Sequence, residues 1–363
     1  MRKTIYLHIG HYKTGTTALQ VFLSNNQKRL VRRGVDYAEE LRNHAKHSSL
    51  AFSIYRKAGV STLMHGYADP TPPEKIWRRL FDHASASPAP AVLVSSEEFM
   101  RMGAHPRAAE ILRDIVTPEM RRFDIRVIAY LRSPGAHLRS WYNQLIKMSA
   151  APPDFNAAVR SVMEPVHYDY GQALRPWVDI FGPEAVMVRP YREDLRLDNG
   201  LFRDFLAALG VDFDCRPKLG GWVLPEGDVN PRLDDRLLEL NRAMQEAGLT
   251  PELRKWMGTR AEKALPDLAA APGFATIVER TQSGLDALRD LPGNQVAPEA
   301  FAADMPSPDP DWQGELTRMM ATALREQQIL RERLQARNRE LTSRLDQTEA
   351  RLDALERRLE GRK

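Results

Sequence analysis

The chain has 363 residues and a single cysteine, Cys215. One cysteine excludes an internal disulfide bond and any cysteine-based metal cluster. Long apolar runs are also missing, because no stretch approaches the roughly 18 apolar residues of a membrane-spanning helix. The apolar run behind the basic start, Ile5 to Ile9, is too short for the core of a signal peptide. These absences predict a cytoplasmic protein without a membrane span.

Positively and negatively charged residues are nearly equal in number, which gives a net charge of +4 and an isoelectric point near 9.1. This mild basic excess suits an anionic ligand but falls far short of a protein that coats nucleic acid. We therefore expect no nucleic-acid partner. Hydrophobic residues make up 43% of the chain, which is enough to bury a sizeable core.

Short apolar, β-branched runs alternate with helical segments in the first half of the chain. The pattern predicts helices from Thr16 to about Leu30, from Pro134 to Lys147 and over 200–210. Strands are predicted over residues 4–9, 91–96, 125–131 and 185–191. Strands that alternate with helices indicate an α/β fold, in which helices cover both faces of a parallel sheet.

The last fifth of the chain has a different character. Residues 304–312 are rich in proline and serine and predict a linker, and no proline follows up to residue 360. Mostly leucine residues then recur at alternating spacings of three and four positions, which is the heptad seam of a coiled coil. This seam predicts a C-terminal coiled coil over 313–360, through which the protein would form a homodimer. The seam consists of Leu334, Asn338, Leu341, Leu345, Thr348, Leu352, Leu355 and Leu359. The remaining domains are predicted as a catalytic domain over 1–250 and a helical extension over 251–303.

The stretch "LHIGHYKTGTT", residues 7–17, resembles a P-loop with a displaced lysine. The P-loop pattern G-x-x-x-x-G-K-[ST] has its lysine directly after the second glycine. Gly10, Gly15 and Thr17 fit that pattern, but Thr16 occupies the lysine position and the lysine of the loop is Lys13. A lysine inside the loop would lie over the atom that joins two linked anionic groups, where charge develops when the outer group leaves. This geometry suits a phosphosulfate.

The same stretch resembles the 5′-phosphosulfate loop of sulfotransferases that use 3′-phosphoadenosine 5′-phosphosulfate as donor. That family has a K-[ST]-G-T-[TS] loop after a strand, and it is matched here by Lys13, Thr14, Gly15, Thr16 and Thr17. The resemblance implies a P-loop-like sheet and this donor as cosubstrate, and it implies no metal. It covers about residues 4–250, and the coiled coil lies outside it.

A second motif, "LRSPGAHLRSWYNQLIK" over 131–147, follows a predicted strand and opens a helix. Members of the family have an arginine here, a proline two residues later and a serine eight residues after the arginine. Arg132, Pro134 and Ser140 match these positions. The resemblance implies that Arg132 and Ser140 hold the 3′-phosphate of the donor. Tyr191 is a candidate neighbour of the nucleotide, and the basic segments 215–221 and 228–233 are imperfect candidates for a further contact to that phosphate.

Sulfuryl transfer to a hydroxyl or amine needs a base for the acceptor's proton. Glu97 and Glu98 follow a predicted strand, at the sheet edge where ligands bind in open α/β folds. Glu97 is the first choice, because glycan-modifying branches of the family have a glutamate in a similar place. Glu98, His44 and His47 are the alternatives, and His11 is a further candidate for contact with the donor.

Three functions remain open from the sequence. The first is a sulfotransferase acting on a carbohydrate or a small metabolite, with an acceptor pocket built from about residues 40–80 and 150–180. The second is a P-loop kinase or nucleotide hydrolase, which the missing lysine after Gly15 disfavours. The third is an interaction protein with an inert catalytic fold, which the intact Lys13, Arg132 and Ser140 disfavour.

Overall fold

The computed structural model describes residues 2–61, 63, 67–148, 150, 152–213, 221–225, 238–261, 275–297, 301, 305–306 and 313–360. Cys215 and the candidate basic segment 228–233 lie outside these residues, as does all of the segment 215–221 except its last residue. Most of the predicted linker lies outside them as well. Among the described residues, no helix is both long and apolar enough to cross a membrane.

Five parallel strands form a sheet in the order β2-β3-β1-β4-β5. The strands are β1 (Lys3–Gly10), β2 (Val35–Tyr37), β3 (Ala91–Ser95), β4 (Phe123–Leu131) and β5 (Val186–Pro190). The four strands expected from the sequence are confirmed, and β2 was missed. All five residues of β3 and the last five of β4 are buried, as expected for central strands covered on both faces.

Thirteen α-helices are described, and those of the first half surround the sheet. They are α1 (Thr16–Asn25), α2 (Gln27–Val31), α3 (Ser48–Lys57), α4 (Pro73–Ala86), α5 (Pro106–Val116), α6 (Pro134–Lys147), α7 (Phe155–Ser161), α8 (Tyr170–Phe181), α9 (Gly200–Ala208), α10 (Leu238–Glu246), α11 (Pro251–Ala261), α12 (Ala275–Asp286) and α13 (Gln313–Glu360). Short 3₁₀ helices, such as Glu97–Ala104 and Pro165–His167, connect several of them. The structure is therefore a mixed α/β fold with a five-stranded parallel sheet flanked by helices.

The helix expected from Thr16 to Leu30 is interrupted, so that prediction was wrong in its length. Asn26 separates α1 from α2, and its side chain is fully buried. Its amide donates to the carbonyl oxygens of Phe22 (2.8 Å) and Val223 (2.7 Å), and its Oδ1 accepts from Val223 N (2.8 Å). The asparagine therefore fastens a distant segment to the helix at the position where the helix breaks.

The strand order creates a crevice between the carboxyl ends of β1 and β4. The chain leaves β1 toward β2 on one side of the sheet, and it leaves β4 toward β5 on the other side. Ligands of open α/β sheets bind in the crevice at this switch point. Both sequence motifs follow these two strands, so the topology brings them to the same crevice.

The contacts divide the chain into two compact units, Met1–Leu233 with Pro272–Asp309 and Asp234–Ala271 with Pro310–Lys363. The first unit contains the whole sheet, and α12 packs against α8 within it. In the second unit α11 contacts both α10 and α13. The long helix α13 exposes its seam residues Leu334, Leu341, Leu345 and Leu352. The coiled coil, and the domain boundaries expected from the sequence, stay predictions.

Candidate functional site

The loop between β1 and α1 turns through three residues with positive φ. Gly10 ends the strand with a φ of 87°, and Lys13 and Gly15 have φ values of 61° and 74°. Left-handed residues in such a turn direct successive N–H groups into one concavity, and the first turn of α1 adds the positive end of its dipole. His11 N donates to Tyr130 O of β4 (2.9 Å), so the loop is fixed to the neighbouring strand.

The three threonines of the loop have different surroundings. The Thr14 hydroxyl donates to His11 O (2.6 Å) and is buried, so it closes the loop internally. Thr16 and Thr17 form the first turn of α1, where Thr16 is buried and Thr17 is exposed. Of the three residues, Thr17 presents its side chain most openly to solvent.

The second motif begins where β4 ends. Pro134 is the first residue of α6, directly after Arg132 and Ser133, as the sequence predicts. Arg132 is half-buried, and its carbonyl oxygen accepts from the Tyr170 hydroxyl (2.7 Å). Ser140 lies in the middle of α6 and is only 3% exposed.

Tyr191 joins the two motifs. Its ring centre lies 6.0 Å from the guanidinium carbon of Arg132. It also packs so closely on the first motif that a Cβ atom added to Gly15 would lie 3.3 Å from Tyr191 Cε2. The backbone N–H of Tyr191 donates to Leu131 O (2.7 Å), which holds the tyrosine at the end of β4. The sequence left the place of Tyr191 open, and the structure puts it between the loop and Arg132.

Gln144 makes a direct contact between the two motifs that the sequence analysis did not find. Lys13 Nζ donates to Gln144 Oε1 at 3.2 Å. Gln144 lies one helical turn after Ser140, on the same face of α6. The spacing of four residues is the one signal in the sequence that could have identified it.

Glu97 lies against the beginning of the loop. A Cβ atom at Gly10 would be 3.1 Å from both Cα and Cβ of Glu97. Its carboxylate accepts from Lys46 Nζ (3.1 Å) and from Gln20 Nε2 (2.8 Å), and its side chain is 12% exposed. Burial works to raise the pKa of Glu97, but the charge of Lys46 and the amide of Gln20 outweigh it and hold the pKa below its usual value. Glu97 is therefore ionised at neutral pH.

Glu98, the next residue, has the opposite environment. It is fully buried, and its Oε2 accepts from the Tyr12 hydroxyl (2.6 Å). Burial, together with the charge of Glu97, raises the pKa of Glu98 to about 7. Two adjacent carboxyl groups with pKa values pushed apart can divide acid and base roles. Only Glu97 combines ionisation with some exposure.

The two histidine alternatives for the base have contrasting positions. Both ring nitrogens of His47 are engaged, Nε2 with Ala38 O (2.7 Å) and Nδ1 with Ser95 N (3.1 Å). The ring is fully buried, and this burial lowers the pKa of His47 to about 4. His44 is exposed, with a φ of 56°. The structure gives His47 no opening toward a ligand.

Behind the loop, His11, His137 and His167 form a buried cluster. One ring nitrogen from each lies within 4.8 Å of the others, and this is the potential metal-holding group among the described residues. His11 Nε2 bonds Val166 O (2.8 Å) while its Nδ1 accepts from Tyr12 N (2.7 Å), and His137 Nε2 bonds His167 Nδ1 (3.0 Å). Burial lowers the pKa of all three, so they are neutral.

Neutral imidazoles are possible ligands for a transition metal, but this cluster fits one poorly. A bound divalent ion would keep its full charge in a buried place, and Lys13 and Arg132 already lower the pKa of His137 by their charge. His11 would also have to give up one of its hydrogen bonds. The arrangement is better explained as uncharged aromatic packing beneath the loop. Trp141 stacks on His167 in this packing, with a ring separation of 4.5 Å.

Comparison with known proteins gives limited information. No family model matches the chain. A curated protein of Archaeoglobus fulgidus, described as an uncharacterized protein, is 29% identical over 168 residues, which is 45% of this chain. The match spans 41% of that protein, so the chain spans less than half of the relative's length.

Among solved structures, the chain is similar to a crystal structure of a sulfotransferase from Alicyclobacillus acidocaldarius. The TM-score is 0.39 and the identity is 19%, with 69% of this chain and 98% of that one covered. A similarity of this size does not assign a function.

Proposed function

We propose that the chain is a sulfotransferase that moves a sulfuryl group from 3′-phosphoadenosine 5′-phosphosulfate to a hydroxyl or amine. The observation that carries the proposal is the meeting of the two motifs in one crevice, where Lys13 reaches α6 through Gln144 and Tyr191 lies between Gly15 and Arg132. The anion loop would hold the 5′-phosphosulfate. Arg132 and Ser140 would hold the 3′-phosphate.

Each group in the crevice then has a defined part in the reaction. The acceptor oxygen or nitrogen attacks the sulfur, and the bond from sulfur to the bridging oxygen of the 5′-phosphate breaks. The electron pair of that bond stays on the phosphate, beside the Lys13 ammonium and the N–H groups of the loop. The products are the sulfated acceptor and adenosine 3′,5′-bisphosphate. In this step the residues of the chain position the donor and stabilise the negative charge that develops on the leaving phosphate.

Glu97 is the proposed base that takes the acceptor's proton. It follows β3 at the carboxyl edge of the sheet, it is ionised at neutral pH, and it lies against Gly10 at the start of the donor loop. Its pairing with Lys46 orients the carboxylate and also lowers its basicity. Glu98 has a pKa better matched to proton transfer, but it is enclosed and bonded to Tyr12.

The acceptor class is proposed as a carbohydrate or a small metabolite, and a homodimer through α13 is proposed as the assembly. The second candidate function, a kinase or nucleotide hydrolase of the P-loop type, would use a lysine after Gly15 on the outer phosphates. Thr16 stands there and is buried, and the loop's amine belongs to Lys13 on the other side of Gly15.

Transfer of ³⁵S from labelled donor to a library of hydroxyl and amine acceptors tests the proposed function. The purified protein should label at least one acceptor class. Lys13→Ala should retain the fold and reduce turnover on the order of 10²–10³-fold, as expected for the loss of one transition-state stabiliser. Glu97→Gln should lower turnover without loss of donor affinity. Unchanged turnover in Glu97→Gln would remove Glu97 as the base, and unchanged turnover in Lys13→Ala would contradict the mechanism.

A further inference from the structure

We propose that Gln144 is a positioning residue for Lys13, which holds the lysine amine at the crevice without neutralising it. This inference rests on the proposed function in its choice of ligand. The contact itself is a hydrogen bond of 3.2 Å from Lys13 Nζ to Gln144 Oε1, and it joins residues 131 positions apart in the chain. It is the hydrogen bond by which the side chain of the loop lysine reaches the second motif.

The backbone already limits the direction in which the Lys13 side chain can leave the loop. Its φ of 61° is uncommon for a residue with a side chain, and it persists only where the surroundings fix it. Those surroundings are well defined, because Thr14 closes the loop on His11 O and His11 N is bonded to β4. The four-carbon stem beyond the backbone is nevertheless flexible and loses rotamer entropy when the amine is placed. A fixed hydrogen-bond acceptor for the Lys13 amine reduces the rotamer entropy that the side chain loses when a ligand binds.

Gln144 is held on a rigid element beside other donor-site residues. It is half-buried on α6, and the buried Ser140 lies one turn before it on the same face. Trp141 and Asn143, its neighbours on the helix, are also buried, so α6 is packed firmly on both sides of the contact. An amide on this helix is therefore a stable reference point for a side chain that comes from a loop.

The chemistry of the amide is the second part of the argument. A carboxylate at the same place would form an ion pair with Lys13 and would compete with an anionic ligand for its charge. The amide oxygen accepts one hydrogen bond and leaves the full positive charge of the amine available to the ligand. Glutamine therefore orients the amine without adding a negative charge beside it, which suits the lysine of a phosphosulfate site.

Two measurements on the full-length chain test this role. The first follows lysine side-chain signals by NMR in protein labelled with ¹³C and ¹⁵N at lysine, with Lys13 assigned from its loss in Lys13→Ala. Gln144→Leu should shift the Lys13 signal. Gln282→Leu on the exposed face of α12 is the matched control and should shift none of the lysine signals. An unchanged Lys13 signal in Gln144→Leu would overturn the proposal, whether or not a nucleotide binds.

The second measurement is calorimetry with adenosine 3′,5′-bisphosphate on a double-mutant cycle. Gln144→Leu should weaken binding on the order of tenfold, the size of one charge-assisted hydrogen bond. In the Lys13→Ala background the same change should have less than about a twofold effect, because Gln144 acts through the lysine. Gln144→Glu should weaken binding more than Gln144→Leu.

The cycle separates this inference from the proposed function. If the losses of binding free energy in Gln144→Leu and Lys13→Ala add up in the double variant, Gln144 supports the site independently of Lys13. That result would overturn the inference and leave the donor assignment intact. Failure of the unaltered protein to bind the bisphosphate would contradict the donor assignment, and the NMR result would then decide on the Gln144 contact by itself.

Discussion

The guanidinium carbon of Arg132 lies over the ring of Tyr191, 6.0 Å from its centre, and the same ring packs against the Gly15 turn. The contact places Arg132, which lies between β4 and α6, beside the loop that precedes α1. An anionic nucleotide with phosphates at two positions would meet both motifs at once.

Arg132→Ala should weaken the binding of adenosine 3′,5′-bisphosphate far more than the binding of adenosine 5′-phosphosulfate. An arginine–phosphate contact is a charge-assisted and often bidentate bond, and only the first of these ligands has a 3′-phosphate. Calorimetry with both ligands measures the difference, which should be at least about tenfold. Equal losses for the two ligands would remove Arg132 from the 3′-phosphate site.

Gly15→Ala should destabilise the protein more than Gly210→Ala. Both glycines have similar positive φ values, 74° and 70°, so both alanines suffer the same backbone penalty of about 1–2 kcal/mol. At Gly15 the new Cβ would also lie 2.6 Å from Leu201 Cδ2 and 3.3 Å from Tyr191 Cε2, whereas nothing lies within 4 Å at Gly210. Chemical unfolding of the two variants isolates this steric part. Equal free energies of unfolding would mean that the turn and Tyr191 are not packed together.

Glu98 should make the stability of the protein depend on pH. Burial raises its pKa to about 7, so the folded state binds the proton more tightly than the unfolded chain does. The resulting stabilisation is fully present below about pH 4.5 and is lost as the pH rises through about 7. Relative to Glu98→Gln, the free energy of unfolding should therefore fall across this range, by up to about 3 kcal/mol.

Denaturant unfolding of the two proteins between pH 4.5 and 8 measures this difference. The contributions of ionisable groups that both proteins share cancel when the two free energies of unfolding are subtracted. Parallel stability curves would show that the carboxyl group titrates normally. They would also remove the contrast between Glu97 and Glu98 on which the choice of base partly rests.

The seam of α13 should make the protein self-associate, as a parallel dimer. Leu334, Leu341, Leu345 and Leu352 are between 46% and 59% exposed on α13, and a second copy would cover them. Asn338 at an a position would pair with its equivalent and favour two strands in register, at some cost in stability.

Sedimentation of point variants tests the dimer. Leu345→Glu on the seam should dissociate it, while Ser343→Glu at the opposite, solvent-facing heptad position should not. A form that ends near Asp309 should also be smaller in assembly state and still bind the nucleotide, because every donor motif precedes residue 150. A monomeric full-length chain at micromolar concentration would contradict the coiled coil.

The sequence could predict most of the sheet, because β1, β3, β4 and β5 are segments of at least five residues that are rich in apolar and β-branched side chains. It could not predict β2, whose three residues include Asp36, a carboxylate that finds its partners His83 and Ser87 only in the folded chain. The break between α1 and α2 was missed for a similar reason. It depends on a bond from Asn26 to Val223, nearly 200 positions away.

The candidate site divides in the same way. The resemblance of the two motifs to those of a known family selects Lys13, Arg132 and Ser140, and the strand order of the folded chain brings both motifs to one crevice. Spacing does not distinguish Glu97 from Glu98. Burial raises the pKa of Glu98, whereas at Glu97 the effect of burial is offset by Lys46 and Gln20, which lie elsewhere in the chain. Gln144 was missed because its partner is 131 positions away and becomes visible only when the loop and α6 are placed together.

The measurement that tests the central claim most directly is calorimetric titration of the unaltered protein with adenosine 3′,5′-bisphosphate and, separately, with ATP and magnesium. If the crevice is a donor site for 3′-phosphoadenosine 5′-phosphosulfate, the bisphosphate should bind with a dissociation constant on the order of micromolar and at least about tenfold more tightly than ATP. Preference for ATP with magnesium, or binding of neither ligand, would contradict the account.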